Sequence, residues 1–341
     1  RFIQILWRSL CQSLISYLFF FNDTSPTEIY TLSLHDALPI SDYVHVRTTE
    51  GLGSVHFTKG AAGNSYSNGI IRLAGTGSTI DGLIAHDPDD VTAHAIYVPG
   101  DDNKVLNSIG YNGGRHKHKI PCFISGSNNL VEDGGFFGEG RYTLQIFKGR
   151  NNKVRRTIAR WDSTVQGYLT EPNAAFSNYN SSGTMHENCV SLDYNSTPEP
   201  MKYGGDFYSP HNNYQWPEGN RDNGWYGCIV VYHDKGNDNG SNNNRAFMAD
   251  TNSSAGNCVN NTIKDFYAKD SLRDFVINPQ TEYNIEPGED IDHIYIDGVK
   301  TNESVWPFKN EDIIKREMSK IEGGNRGWVA SGKSLEDYIK G

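Results

Sequence analysis

Ten lysines and arginines fall between Arg115 and Arg160 (positions 115, 117, 119, 141, 148, 150, 153, 155, 156 and 160), opposed only by Glu132, Asp133 and Glu139. Ten positive against three negative charges leave this segment at +7, on a chain whose formal charge is −10. Clustered cations beside candidate bases suit the removal of a proton next to a sugar carboxylate. The carboxylate must be neutralised, and a base must then reach the adjacent C–H. Arg141, Arg156 and Arg160 fit the first task, because a guanidinium fork pairs with a carboxylate. His116, Lys117 or His118, in "YNGGRHKHKIP", could supply the base, since arginine holds its proton too tightly. Tyr111 or Tyr142 could protonate the leaving oxygen. The bland reading of the same residues is a charged face that serves solubility alone.

Other residue sets point to other chemistry. His116 and His118 alternate and would chelate a metal if they lay on a strand. Asp87, Asp89 and Asp90 in "HDPDD", with Asp101 and Asp102 in "PGDDN", could gather Ca²⁺, which takes carboxylate and carbonyl oxygens. Aspartate is equally a plain turn residue. The expected cofactor is therefore none, or Ca²⁺. Hydrolysis of a glycosidic bond needs two carboxyls about 5–9 Å apart, and Glu132, Asp133 and Glu139 are available. Tyr208, Tyr214, Trp216, Trp225 and Tyr226 could stack on sugar rings, or pack as ordinary loop anchors.

The elements that must position these groups are unusual. The chain is crowded with Gly, Asn, Ser and Asp, which disfavour helix interiors and favour turns. No run approaches the eighteen or so apolar residues of a membrane span. A net acidic chain is a poor general binder of nucleic acid, although a basic stripe on it can attract a polyanion. Residues 22–41, "NDTSPTEIYTLSLHDALPIS", resemble the conceptual translation of a sequencing adapter, departing from it at Ser25-Pro26. A secretory signal peptide is the alternative for this end. Residues 1–41 are accordingly set apart, and the natural sequence is expected to begin within a longer protein, near Asp42. Of the remaining cysteines (Cys122, Cys189, Cys228 and Cys258) none has CxxC spacing, so buried thiols or disulfides are expected rather than zinc.

A period is visible. "GSTIDGLIAHD", "DNKVLNSIGYN", "NNLVEDGGFFG" and "NKVRRTIARWD" align with apolar anchors at Ile80, Val105, Leu130 and Val154. Second anchors follow at Ile84, Ile109, Gly134 and Ile158, and "GNCVNNTIKDF" is a late copy with Val259 and Ile263. Short β-rich pieces ending in Gly precede each anchor: "IIRLAG", "AIYVPG", "PCFISG" and "LQIFKG". Asn103, Asn129, Asn152 and Asn257 lie one or two residues ahead of an anchor, where Asn suits a tight corner. Short strands, polar turns and a period near 25 predict the turns of a parallel β-solenoid. Stacked coils bring equivalent positions about 4.8 Å apart. One predicted row is Gly82, Asn107, Glu132 and Arg156, with Glu132 in reach of Arg156. Another is His86, Tyr111, Phe136 and Arg160, expected to form an outward aromatic and basic face.

On these repeats residues 55–300 resemble the right-handed parallel β-helix class, the pectate-lyase-like superfamily. The expected fold is all-β, a right-handed parallel β-helix solenoid over 42–300 with a C-terminal helical cap over 301–341. Residues 171–226 read either as a loop-rich excursion or as coils with large loops. In the tail, Asn310 is a candidate N-cap ahead of Glu311 and Asp312, and Ser334 opens a second helix. Both helices are expected to cover the open end of the solenoid. "WPFKNEDIIK" is similar to the C-terminal segments of some secreted bacterial β-helix proteins, which implies a secreted or cell-surface bacterial protein. The resemblance implies an acidic polysaccharide or surface glycan as partner, acted on by a lyase along the 111–160 face. A glycoside hydrolase, or a non-catalytic adhesin or spike, stands as the alternative. The paired-Asp and Gly-His-Gly pattern of β-helix polygalacturonases is absent.

Overall fold

The computed structural model describes residues 2–8, 14–20, 31–33, 38–40, 42–48, 52–53, 55–58, 69–87, 94–112, 119–162, 173–193, 204–209, 219–231, 245–249, 259–269, 273–277, 283–287, 294–301 and 306–341. Each coil contributes three short strands, and strands of successive coils pair in parallel, so the chain winds as a parallel β-helix. Row A contains Thr79–Asp81, Lys104–Leu106, Leu130–Glu132, Lys153–Arg155, Met185–Glu187, Gly224–Tyr226 and the first half of Asn261–Lys269. Row B contains His56–Thr58, Ile84–His86, Ile109–Tyr111, Gly135–Gly138, Ile158–Trp161, Val190–Leu192 and Ile229–Val231. Row C runs from Leu38–Ile40 through Gly69–Leu73, His94–Val98, Cys122–Ile124, Tyr142–Phe147, Asn173–Tyr179, Gly204–Tyr208 and Arg245–Ala249 to Arg273–Ile277. Strands Phe2–Arg8 and Leu14–Phe20 pair antiparallel, and Phe2–Arg8 also pairs antiparallel with Val44–Thr48.

The true anchors of row A are Ile80, Val105, Val131, Val154, His186, Trp225 and Ile263, all fully buried or nearly so. Leu130 is not among them. It pairs with Lys104 and Lys153 and shares their outward face. The register in that coil is therefore one residue later than the apolar spacing predicts, and a one-residue slip turns every side chain to the opposite face. Gly135 replaces Gly134 as the second anchor, and Asp133 replaces Glu132 in the corner row. Segment 171–226 carries strands of all three rows, in register with the coils on either side.

Two corners repeat because their residue types allow positive φ. Between rows A and B stand Gly82, Asn107, Asp133, Arg156, Asn188, Gly227 and Asp265, all left-handed. Each of the first six donates its backbone N–H to the next coil. Between rows C and A stand Gly77, Asp102, Asn128, Asn151, Gly183, Asp222 and Asn260, left-handed as well. The residue after each is Ser78, Asn103, Asn129, Asn152, Thr184, Asn223 or Asn261, all buried. These form a ladder in which a backbone N–H bonds the Asn Oδ1 of the coil beyond: Ser78 to Asn103 (2.8 Å), Asn103 to Asn129 (2.8 Å), Asn129 to Asn152 (2.9 Å). The ladder satisfies polar corners that water cannot reach. Asn103, Asn129 and Asn152 thus serve inside the coil, while the left-handed turn falls one residue earlier. Asn257 lies outside the described residues.

The C-terminal segment forms α1 (Glu311–Met318), α2 (Gly327–Ser331) and α3 (Leu335–Lys340). Asn310 precedes α1 in a left-handed conformation, and its side chain does not cap the helix. It bonds Asn107 Oδ1 (3.3 Å) and the Asp133 carbonyl (3.4 Å) instead. Ser334 does cap α3, accepting from the Asp337 N–H. These helices lie along the flank of the solenoid, on the outer face of row B, and not across its open end. Ile314, Met318, Ile321, Trp328, Leu335 and Ile339 pack against Ile84, Ile109, Phe137, Ile158, Val190 and Ile229. Gly135 permits the approach, since a Cβ there would meet Ile314 Cγ1 at 2.9 Å. Row B presents apolar side chains on both faces, so it needed a cover, and the tail supplies it. Among the described residues no helix is long and apolar enough to cross a membrane.

Candidate functional site

The row expected to face solvent lies under that cover, buried except at His86, which is half-buried. Its members are His86, Tyr111, Phe137 (not Phe136) and Arg160. His86 stacks on Tyr111 at 4.6 Å and Tyr111 on Phe137 at 5.0 Å. The Tyr111 hydroxyl bonds Glu317, a fully buried carboxylate of α1, and desolvation raises its pKa well above the ordinary value. Arg160 is fully buried, bonded to the Asp162 carboxylate and to the Gly324 carbonyl at 3.0 Å. Tyr111 and Arg160 are thus structural groups and cannot meet a polysaccharide. His86 is half-buried beside them, and desolvation holds its pKa down to about 4.

The remaining candidates scatter. Arg156 sits at the A–B corner, its Nε 2.7 Å from Asp133 and its NH2 3.0 Å from Glu132, so the expected Glu132 pair forms with a second partner added. Arg141 lies between rows B and C with its guanidinium 5.1 Å over the Tyr142 ring. Trp225 is buried inside the solenoid between His186 (6.1 Å) and Phe247 (4.8 Å), and Tyr208 is buried beside Tyr142. Neither can stack on a sugar. Tyr226 is half-buried against the ring of Tyr295 (5.5 Å). Asp87 is buried, while Asp101 accepts the Ser127 N–H at 2.7 Å and Asp102 takes a left-handed turn. Among the described residues no three metal-ligating side chains gather as a cation site would need. His116, Lys117, His118, Asp89, Asp90, Tyr214, Trp216 and Cys258 lie outside the described residues. Cys122, Cys189 and Cys228 are buried free thiols.

What the structure does assemble is a groove of about 420 Å³ on the outer face of row A, lined by Asn128, Asn129, Leu130, Asn151, Lys153, Arg155 and Asp297. Alternation along Lys153–Arg155 buries Val154 and directs its two basic neighbours to the surface. Asn128 and Asn151, one coil apart at the corner, form one wall; their side-chain amides lie 3.4 Å apart. The opposite wall is a β-hairpin, Tyr295–Ile296 against Val299–Lys300, turning through Asp297 and Gly298 with positive φ at both. That is the Asp-Gly turn expected of a two-residue hairpin. Asn188 pins it through two bonds to Tyr295 (2.9 and 3.1 Å), Asp265 accepts the Tyr295 hydroxyl (2.5 Å), and Glu187 accepts the Gly298 N–H (2.5 Å).

Charge in the groove is concentrated on a few atoms. Arg155 Nε bonds the buried Glu187 (2.5 Å), its NH1 lies 3.8 Å from Glu132, and its NH2 bonds Asp297. Lys153 Nζ meets the same Asp297 oxygen at 2.5 Å. The hydrogen bond from Lys153 and the Arg155 charge hold the Asp297 carboxyl below its ordinary pKa although its side chain is 58% exposed. Lys153, Arg155 and Asp297 were not singled out from the sequence. Placing Val131 as anchor would reveal Arg155, since the outward row then reads Glu132, Arg155, Glu187, and would set Lys153 two residues back beside Leu130. Asp297 comes from far along the chain, and no local signal points to it.

No known protein family matches the chain, and no curated protein does. Among solved structures, it is similar to the catalytic domain of a GH87 alpha-1,3-glucanase variant in complex with tetrasaccharides, with a TM-score of 0.46 and 15% identity over 78% of this chain. The chain spans 59% of that domain's length.

Proposed function

We propose that the protein is a secreted or cell-surface β-helix that binds a polysaccharide, acidic in class, across the row A groove. The observation that carries this reading is the convergence of Lys153 and Arg155 on one carboxylate oxygen at the groove mouth. Asn128 and Asn151 offer side-chain amides, each both donor and acceptor, for sugar hydroxyls. The aromatic stripe on row C supports the reading less well. Tyr97 and Phe123 stack nearly parallel at 5.3 Å, so each ring face there is taken by its neighbour and mostly edges face outward.

Elimination is the reaction a uronate held in this way would undergo once a base took its C5 proton and the 4-linked oxygen left. Two cations on its carboxylate would acidify the neighbouring C–H. The bases expected from the sequence, His116, Lys117 and His118, lie outside the described residues. The described carboxylates near the groove are committed elsewhere: Glu132 to Arg155 and Arg156, Glu187 to Arg155 and the Gly298 N–H. The proposal therefore rests on binding, with lysis as its catalytic extension. The test is retention on immobilised pectate, alginate, glycosaminoglycan and a neutral glucan, while ultraviolet absorbance is followed for unsaturated uronate. Retention on acidic columns, lost in Lys153→Met/Arg155→Gln, is the expected outcome. Absence of retention on every acidic glycan, or retention indifferent to the double variant, would overturn it.

A further inference from the structure

We infer that Asp297 is an internal stand-in for the ligand, and that the space it fills between Lys153 and Arg155 is the subsite for a hexuronate carboxylate. This rests on the polysaccharide reading above and gives it one defined contact. Three observations carry it. Lys153 and Arg155 come from a single row A strand, whereas the carboxylate they share arrives from a separate hairpin more than 140 residues on. Arg155 does not need Asp297 to stay in place, because the fully buried Glu187 already holds its Nε and Glu132 lies beside NH1. The hairpin does not need Asp297 either: Asn188, Asp265 and Glu187 fix it through Tyr295, Lys300 and Gly298. A side chain on which neither neighbour depends for its position, yet which saturates two cations, behaves as an occupant of the groove rather than part of its frame.

A carboxylate is the chemistry this subsite fits, since the occupant already seen there is one. The Lys153–Asp297 pair is exposed on both sides and such pairs are worth little, so a ligand carboxylate brought in on a multivalent chain can take the place with a small rotation of the Asp297 side chain. Asp297 then acts as a built-in competitor. It occupies Lys153 Nζ and Arg155 NH2 when no glycan is present and weakens binding when one is.

Asp297→Asn isolates the effect, because asparagine tolerates the same left-handed turn and removes only the charge. Unsulfated oligouronate (hexagalacturonate and its alginate counterpart), a sulfated neutral glucan and an uncharged glucan would be titrated calorimetrically into wild type and variant. Unfolding midpoints would be checked beforehand. The expected result is about two- to fivefold tighter oligouronate binding by Asp297→Asn, with the uncharged glucan unmoved. Equal or weaker oligouronate binding by the variant, with wild type still binding, overturns the subsite and leaves the polysaccharide reading intact. A gain confined to the sulfated glucan overturns the carboxylate assignment. No binding of any glycan by either protein overturns both readings together.

Discussion

Replacing His86 with phenylalanine should flatten the acid side of the protein's stability profile. His86 lies on row B beneath α1, stacked on Tyr111 at 4.6 Å and 5.9 Å from His56, with Glu317 and Lys320 of the covering segment near it. Desolvation, then the His56 charge, lower its pKa from the ordinary 6.5 to about 4, against the smaller opposing pull of Glu317. The imidazole is neutral in the fold down to that pH, while the unfolded chain takes up its proton near 6.5. Its contribution to stability is thus complete above 6.5, and falls as pH drops toward 4. At roughly 1.4 kcal/mol per pH unit the total approaches about 3 kcal/mol. Phenylalanine cannot take the proton in either state and continues the stack of Tyr111 and Phe137. Urea unfolding of both proteins at pH 7.5 and 4.5 measures the effect, because groups common to both cancel in the difference. The variant should lose about 2 to 3 kcal/mol less than wild type on acidification. Residual acid sensitivity is expected from His56, which desolvation also shifts down. Equal losses would mean that His86 is in water and that the C-terminal helices do not cover row B.

Trp225→Ala should destabilise the protein by about 3–5 kcal/mol, the usual cost of truncating a buried tryptophan, seen as a lower urea midpoint. Unchanged stability with lost glycan retention would contradict its place inside the solenoid. Asn152→Leu should cost about 1–3 kcal/mol, because it leaves the buried Asn129 N–H without its acceptor and removes the donor to the Gly126 carbonyl. A neutral effect in thermal unfolding would show that the ladder is dispensable. Arg156→Ala should lower stability by about 1–3 kcal/mol, by leaving the buried Asp133 with its remaining partners only, while glycan retention stays at the wild-type level. Loss of retention with stability intact would return Arg156 to the binding surface.

The solenoid was legible because its corners restrict residue type. Gly, Asn and Asp recur where φ is positive, and the anchors Ile80, Val105 and Val154 recur one and then two coil lengths apart. Register failed in the coil containing "NNLVEDGG", where two adjacent apolar residues, Leu130 and Val131, compete for one inward position. Hydrophobicity cannot choose between them. The choice is made by Asn129, which must enter the buried ladder, so that Val131 follows inward two residues later. Arg156 was harder still, since arginine rarely adopts a left-handed corner, and its bond to Asp133 one coil below accompanies it. The candidate site was less legible. A period places residues on rows, but it does not say which row another segment will cover. Tyr111 and Arg160 looked like a surface until α1 to α3 were laid over them, and Lys153 and Arg155 gained meaning only when the distant Asp297 came to rest between them.

A crystal of the protein soaked with an oligouronate is the most direct test of the groove. Sugar density along Asn128, Leu130 and Asn151, with a carboxylate between Lys153 and Arg155 and the Asp297 side chain turned away, is the predicted result. Density against the Tyr97–Phe123 stripe of row C, with Lys153 and Arg155 still closed on Asp297, would contradict it.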